Sequence, residues 1–202
     1  MHKQLSRLLL TGLLALLAAC STAPKPVPPT GLGDERQWRK HQQALGSIND
    51  WQLSGKIAIR NAEESGNGNL NWQQQKQHFD IRISGPLGQG AVQLSGTSKH
   101  LELTTPRQKL SSSQPELLMQ QQLGWNVPLQ SLLWWVRGLP DPDYAHLVEL
   151  NDDSRAWRIE QGQWLLEYLS YQDRRQGLAV PPRIRASGPQ QLQILLIIKD
   201  WQ

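Results

Sequence analysis

Apolar and polar side chains alternate along the sequence WQLSGKIAIR, residues 51–60. The apolar positions, among them Trp51, Leu53 and Ile59, recur with the period of two that places side chains on one face of a β-strand. Short segments with the same alternation follow at 70–72, 79–83, 92–94, 101–103, 157–159, 164–168 and 192–198, with another around Ile184. Half-buried strands at this spacing predict a strongly curved antiparallel sheet of about nine to eleven strands, open or closed.

Helical signals occur at three places. Asp34 is a suitable N-cap for an amphipathic helix that ends near Gly46. The motif Ser113-Gln114-Pro115-Glu116 predicts a capping box, and Gly124 is placed to end that second helix. A third, short helix is predicted over 128–138, again with a glycine at its C-terminal end. We therefore expect a mainly β protein with three helices.

The composition is that of an ordinary globular protein: 202 residues, 38% hydrophobic and 19% charged, with one cysteine. A chain of this length can bury a core in one domain without disulfides or a structural metal. No G-x-S-x-G, H-E-x-x-H, Walker A or C-x-x-C signature is present. The histidines, at 2, 41, 78, 100 and 146, lack metal-ligand spacing, so surface or strand-edge positions are expected. Asp141 and Asp143 are interpreted as solvated loop residues. These features favour binding over catalysis.

The N-terminus has the features of an export signal. Lys3 and Arg7 precede an apolar run of 12 residues, 8–19, which is too short to span a membrane and is typical of a secretory signal peptide. The run ends in Leu17-Ala18-Ala19-Cys20, a pattern that resembles a bacterial lipobox. Acylation explains an exported protein with a single cysteine at this position, because several acyl chains attach a protein durably to a membrane. We expect residues 1–19 to be a lipoprotein signal peptide and Cys20 to be acylated.

Residues 20–33 are rich in proline and contain little to bury, which predicts an extended tether. The folded domain is then expected over 34–202. Loss of the signal peptide lowers the formal net charge from +4 to +2, and the longest run of basic residues is Arg174-Arg175. Export and this weak charge exclude nucleic acid as a partner.

Two apolar features stand out as candidate binding elements. The motif Gly85-Pro86-Leu87-Gly88 places a large apolar side chain in a sharp turn. Leu87 is either folded back beneath the sheet or exposed as a wedge that enters a membrane or an apolar partner surface. The sequence LLWWV at 132–136 is apolar on all sides of a helix, so that helix is either fully buried or covered by the sheet on one side and by another element on the other.

Six motifs occur in a characteristic order along the chain. They are the lipobox ending at Cys20, WRKHQQ at 38–43, WQQ at 72–74, GPLG at 85–88, the segment 127–140, and Asp200-Trp201. Each motif is weak by itself. Together and in this order they resemble the LolB family of outer-membrane lipoproteins, and the resemblance covers nearly the whole chain.

The resemblance implies an incomplete antiparallel β-barrel with helices as a lid over a hydrophobic cavity. It also implies a receptor that accepts acylated lipoproteins from the periplasmic carrier LolA and inserts them into the outer membrane, with no cofactor, no metal and no catalytic step. Cys20 matches the acylated cysteine of the family, and Leu87 matches its protruding loop leucine, which is implicated in membrane delivery. Ser21 stands where an aspartate would signal retention in the inner membrane, so the outer membrane is the expected location, with the domain facing the periplasm.

We hypothesise that large apolar residues of the strands and of the third helix form the cavity and its lid: Trp51, Trp72, Phe79, Ile81, Leu132, Trp134, Trp135 and Trp164. Such a receptor needs no oligomer, so a monomer is expected. Two other functions stay open. One is a lipoprotein that binds lipid or another apolar ligand on the same scaffold without a carrier partner. The other is a structural envelope lipoprotein with a filled, closed barrel.

Overall fold

The structure, a computed structural model, describes residues 31, 33–63, 65–85, 90–175 and 177–202. The predicted signal peptide, Cys20 and nearly all of the tether lie outside the described residues. The same holds for Pro86, Leu87 and Gly88 of the predicted delivery loop. Every helix and strand of the described chain falls between Glu35 and Trp201, so this part contains the complete sheet and its core.

Eleven strands form one sheet in which every neighbouring pair is antiparallel. Their bounds are β1 Asp50–Arg60, β2 Ser65–Gln75, β3 His78–Ser84, β4 Val92–Thr97, β5 His100–Thr104, β6 Lys109–Ser112, β7 His146–Leu150, β8 Ala156–Gln161, β9 Trp164–Arg175, β10 Leu178–Ser187 and β11 Gln193–Trp201. The sheet order is β6-β5-β4-β3-β2-β1-β11-β10-β9-β8-β7, so β6 and β7 are its edges and the barrel is open. The predicted incomplete antiparallel barrel is therefore confirmed.

The helices are α1 Glu35–Gly46, α2 Pro115–Leu123 and α3 Leu129–Trp135, and a 3-10 turn spans Pro189–Gln191. Because α2 and α3 connect β6 to β7, the chain crosses from one edge of the sheet to the other through these two helices. They pack over the concave face during that crossing, where their apolar residues join the single core cluster. The lid position of the helices thus follows from the connectivity of the edge strands.

The cap of α1 is as predicted. The Asp34 Oδ1 atom accepts hydrogen bonds from the backbone N–H groups of Arg36 at 2.7 Å and Gln37 at 3.4 Å. These bonds satisfy donors that the first turn of a helix leaves unpaired. The helix then buries Trp38, His41 and Leu45 on one face.

The predicted capping box of α2 is wrong by one residue, because Gln114 and not Ser113 is the N-cap. A residue that precedes proline is excluded from the helical region, and Pro115 therefore forces Gln114 into an extended conformation. Ser112 Oγ accepts a hydrogen bond from the Gln114 N–H at 2.9 Å instead. The other end is as predicted, since Gly124 has the left-handed φ of 69°.

Three further expectations need correction. The third helix ends at Trp135, and a turn rather than a helix leads to Gly138. His41 is buried among the residues of α1 and is not a surface histidine. Asp141 is fully buried, because Ser131 Oγ donates to its Oδ2 at 2.8 Å and the backbone N–H of Asp143 donates to its Oδ1 at 3.1 Å. The Asp141 carboxylate is therefore satisfied by these two hydrogen bonds and not, as the sequence had suggested, by water.

Candidate binding cavity and its mouth

A small apolar cavity lies between the concave face of the sheet and the covering helices. Its volume is about 70 Å³, and every described residue that lines it is apolar. The lining comprises Ile57, Ile59, Leu70, Trp72, Ile81, Ile83, Leu94, Met119, Trp125, Val127, Leu129, Leu132, Trp135, Val136, Trp164, Leu166, Ile184, Ala186, Ile194 and Leu196. Because β4 and β9 contribute to the same cavity from well separated places in the sheet, the sheet is strongly curved around it.

The cavity is small compared with known ligand pockets. Pockets for small ligands typically measure about 300–1,000 Å³, whereas this void measures about 70 Å³. Its walls offer dispersion contacts and exclusion from water, which suit a hydrocarbon chain of variable length.

Five of the eight residues hypothesised for the cavity and lid line this cavity. They come from β2, β3, α3 and β9: Trp72, Ile81, Leu132, Trp135 and Trp164. On the strands, these side chains share the concave face because the period of two brings alternate residues to one side. On α3, the indole N–H of Trp135 donates to Gln161 Oε1 at 2.8 Å, which orients the ring toward β8 and β9.

The other three hypothesised residues lie outside the lining. Trp51 stacks on Trp201 with 5.0 Å between ring centroids and contacts Trp72 at 5.1 Å, so it belongs to an aromatic cluster at one end of the central strands β1, β2 and β11. Phe79 is buried in the core, with 1% of its surface exposed. Trp134 is only half-buried and lies under the guanidinium of Arg137, 4.6 Å from its centre.

Several lining residues were not singled out by sequence patterns. Met119 comes from α2, while Trp125, Val127 and Leu129 come from the segment that joins α2 to α3 and from the start of α3. The only sequence signal for them was the presence of apolar residues along this crossing segment, where they stand among polar ones such as Gln120 and Asn126. It carried no periodicity that distinguishes a cavity wall from an ordinary core.

Arg137 connects the C-terminal end of α3 to the C-terminal end of α1 through hydrogen bonds. Its Nη1 atom donates to the carbonyl oxygens of Leu45 and Ile48, each at 3.0 Å, and its Nε donates to the Leu133 carbonyl at 3.0 Å. Burial lowers the pKa of Arg137 to about 10, so the guanidinium is still charged at neutral pH. A buried cation thereby satisfies carbonyl groups at two helix C-termini, where positive charge is favoured.

A polar network holds the other side of α3. Gln161 of β8 accepts from the Trp135 indole and from the Asp141 backbone N–H at 3.0 Å, and its Nε2 donates to the Asp141 carbonyl at 2.7 Å. Tyr168 of β9 adds a bond from its hydroxyl to the Trp135 carbonyl at 3.0 Å. Burial raises the pKa of Tyr168, with a further contribution from the neighbouring Tyr171, so this hydroxyl stays neutral and can donate.

A wider cleft of about 590 Å³ adjoins the cavity at the end of α2. Ile57, Ile59, Ile83 and Trp125 line both spaces, so the two spaces lie on either side of the same side chains. We refer to the cleft as the mouth of the cavity. Gly85 and Gly90, which precede and follow residues 86–89 in the sequence, line the mouth as well.

No group of His, Cys, Asp and Glu side chains suited to hold a metal occurs in the described ranges. Within the same ranges, no helix has both the length and the apolar character needed to cross a membrane.

Comparison with known proteins identifies the family. A family model described as Outer membrane lipoprotein LolB matches residues 49–201. The Outer-membrane lipoprotein LolB of Pseudomonas savastanoi pv. phaseolicola is 43% identical over 199 residues, which is 98% of this chain and 96% of that protein. The protein of the same name from Stutzerimonas stutzeri is also 43% identical, with the same coverage of 98% and 96%.

Among solved structures, a LolA superfamily protein from Nitrosomonas europaea is similar in fold. Its TM-score is 0.56 at 12% sequence identity, and the match covers 85% of this chain and 93% of that one. The overall fold of this chain is thus similar to the fold of that protein. With 43% identity over nearly the full length and a family match over 49–201, the resemblance seen in the motifs is confirmed, and the chain belongs to the LolB family of outer-membrane lipoproteins.

Proposed function

We propose that this protein accepts acylated lipoproteins from the periplasmic carrier LolA and inserts them into the outer membrane. The observation that carries the proposal is the wholly apolar cavity beneath a helical cover, in a chain of the LolB family. Acyl chains cannot cross water unaided, and burial in such a cavity removes their apolar surface from water. The proposal involves no catalytic step and no cofactor.

The direction of transfer in this proposal depends on relative affinities. The receptor must bind the acyl chains more tightly than the carrier does and less tightly than a bilayer does. A cavity that is nearly closed when empty fits these limits, because part of the binding energy is used to displace α2 and α3 from the sheet. The bonds of Arg137 and Gln161 to α3 set part of that cost.

The N-terminal segments complete the proposal. Residues 1–19 act as the lipoprotein signal peptide, Cys20 carries the acyl anchor, and residues 20–33 form the tether to the domain at 34–202. An extended proline-rich chain spans about 3.1 Å per residue. The tether therefore allows the domain to reach away from the membrane toward the carrier. Leu87 is proposed to enter the outer membrane during delivery.

A transfer assay tests the proposal. LolA loaded with an acylated lipoprotein is mixed with this protein lacking its first 20 residues, and the cargo is located by pull-down of each partner. We expect the cargo to move to this protein and not to return. Cargo that stays on LolA, while this protein still binds free fatty acid or phospholipid, would favour a lipid-binding lipoprotein without a carrier partner. A protein that binds no acyl chain at all would favour the structural lipoprotein.

A further inference from the structure

The mouth of the cavity has a chemical character that differs from the cavity itself. On one side it is lined by the end of α2 and the residues that follow, 120–125, and on the other by the β1–β2 connection and the start of β2. Six of its lining residues have uncharged amide or hydroxyl side chains: Asn61, Ser65, Asn67, Gln120, Gln121 and Gln122. Uncharged hydrogen-bonding groups therefore surround the opening through which an acyl chain would pass.

The described residues at this opening carry little charge. Glu63 is the single charged side chain among the described residues that line the mouth, and no Lys, Arg or His is among them. A phosphate in this place would meet a carboxylate and no cation, and an anion taken from water without a partner is strongly disfavoured. An anionic group would therefore be disfavoured at the mouth.

The same groups suit a neutral ligand. Glyceryl esters and secondary amides carry carbonyl oxygens that need hydrogen-bond donors, and the NH₂ groups of Asn and Gln supply donors without charge. Gln120 and Gln121 are exposed at the end of α2, and Asn67 is exposed on β2. Donors therefore approach the opening from both of its walls.

One tryptophan and three isoleucines lie between the mouth and the cavity. Trp125, Ile57, Ile59 and Ile83 line both the mouth and the cavity. A ligand with acyl chains in the cavity has to place its polar head where these residues end, which is in the mouth. The volume of about 590 Å³ is large enough for such a head.

We propose, on the basis of the proposed function, that the mouth is the binding site for the uncharged glyceryl-cysteine head of an acylated lipoprotein, and that it discriminates against the phosphate head of a phospholipid. The receptor can then take its cargo in the presence of an excess of membrane lipid with the same acyl chains. The two kinds of ligand carry the same acyl chains, so the apolar cavity cannot distinguish them. The discrimination must therefore depend on the head group.

Two ligands with the same acyl content test this site. One is an N-acetylated peptide whose cysteine carries a dipalmitoylglyceryl group, and the other is dipalmitoylphosphatidylglycerol. The affinity of each is measured by displacement of a fluorescent apolar dye from the chain 20–202 with Cys20→Ala, which keeps the whole sheet and its core. We expect the neutral lipopeptide to bind about 10-fold more tightly, which corresponds to about 1.4 kcal/mol.

Charge variants test whether the discrimination between the two head groups occurs at the mouth. Gln121→Lys and Asn67→Lys each add a cation on a different wall, and each should lower the preference for the lipopeptide about 10-fold by favouring the phosphate. Gln163→Lys is the matched control, since Gln163 is exposed in the β8–β9 turn and does not line the mouth. It should leave the preference unchanged.

The outcomes separate the two proposals. Equal affinity for the two ligands, or a preference that the mouth variants and the control alter alike, overturns the head site while the acyl cavity stands. Failure to bind either ligand overturns the proposed function and the head site with it. A preference for the lipopeptide that only the mouth variants reduce supports the head site.

Discussion

Arg137 shows how one side chain can connect two helices of the fold. Its guanidinium donates to carbonyl oxygens of Leu45, Ile48 and Leu133, and so it connects α1 with α3. It is 5% exposed, and its ring neighbour Trp134 covers one face of the guanidinium. A planar group with fixed donors is needed to reach three carbonyls together, and lysine does not provide one.

Replacement of Arg137 tests this connection. We expect Arg137→Met to lower the free energy of unfolding by about 2 kcal/mol, because carbonyl groups lose a buried donor. Arg137→Lys should recover only part of the loss. Urea unfolding measures both, with Arg39→Met as the control, since the Arg39 ion pair with Glu35 is exposed and is worth less than about 0.5 kcal/mol. Equal stability of Arg137→Met and Arg39→Met would contradict the connecting role.

His41 gives the fold a dependence on pH. Burial lowers the pKa of His41 to about 4, and the charge of Arg155 contributes to the shift. The ring lies between Trp38 and Tyr171, with centroids 5.9 Å and 6.3 Å away, and its Nε2 has no hydrogen-bond partner. In the unfolded chain the ring takes up a proton near its ordinary pKa of about 6.5.

The sign of the effect follows from these two pKa values. Between about pH 6.5 and pH 4 the unfolded chain binds a proton that the folded chain does not, so stability falls as the pH is lowered. We expect His41→Phe to reduce the loss of unfolding free energy between pH 7 and pH 5, measured by urea unfolding at both values. The same loss in the variant and the parent would show that His41 does not cause it.

Leu87 belongs to the proposed delivery step. We expect Leu87→Glu to fold and to accept cargo from LolA, but to deliver it poorly to vesicles, because a carboxylate opposes entry into the apolar part of a bilayer. Transfer from LolA and incorporation into vesicles are measured separately. Loss of folding, or of acceptance from LolA, would count against the wedge role.

At the level of elements, the two edge strands differ from the other nine. Sequence patterns predict neither β6 nor β7, because each is short, and their exposed and half-buried residues do not alternate with a buried set. Edge strands lack a neighbour on one side, so their side chains need not follow the binary pattern of a central strand. These strands nevertheless determine where the chain leaves and re-enters the sheet, and hence where α2 and α3 lie.

The contact between β1 and β11 depends on a glycine. The register of the pair shifts between Ser54 and Gly55, and a Cβ atom on Gly55 would overlap the carbonyl oxygen of Ile197. We expect Gly55→Ala to lower the free energy of unfolding by about 2–3 kcal/mol, because the backbone of two central strands has to separate. Gly66→Ala is the control, since a Cβ there meets nothing within 4 Å. Thermal or urea unfolding compares them, and equal effects would exclude close strand approach as the cause.

At the level of the whole molecule, the cavity is the space between the curved sheet and its helical cover that the side chains of the two layers leave unfilled. Its lining comes from seven strands, two helices and their connection. In the proposed function a ligand enters by separating the cover from the sheet, so cavity volume and binding should be coupled. Filling the cavity should therefore weaken binding without weakening the fold.

Ala186 on β10 offers that test, since it lines the cavity and is buried. We expect Ala186→Leu to lower the affinity for an acylated peptide about 10-fold, which corresponds to about 1.4 kcal/mol, while unfolding free energy changes by less than about 1.5 kcal/mol. Ala179→Leu on the same strand is the matched control, because Ala179 does not line the cavity. Binding that both variants weaken equally would argue against this cavity as the acyl site.

The sequence alone determined the elements whose signals are local. The alternation in 51–60 and its repeats predicted the central strands, Asp34 the start of α1, and Gly124 the end of α2. The ordered motifs predicted the family. Only the tertiary structure decided which aromatic residues face the cavity, because Trp134 and Trp135 are adjacent on an apolar helix and only packing separates them. The same is true of Arg137, Gln161 and the mouth, whose partners lie far apart in the chain and are brought together by the closure of the helices over the sheet.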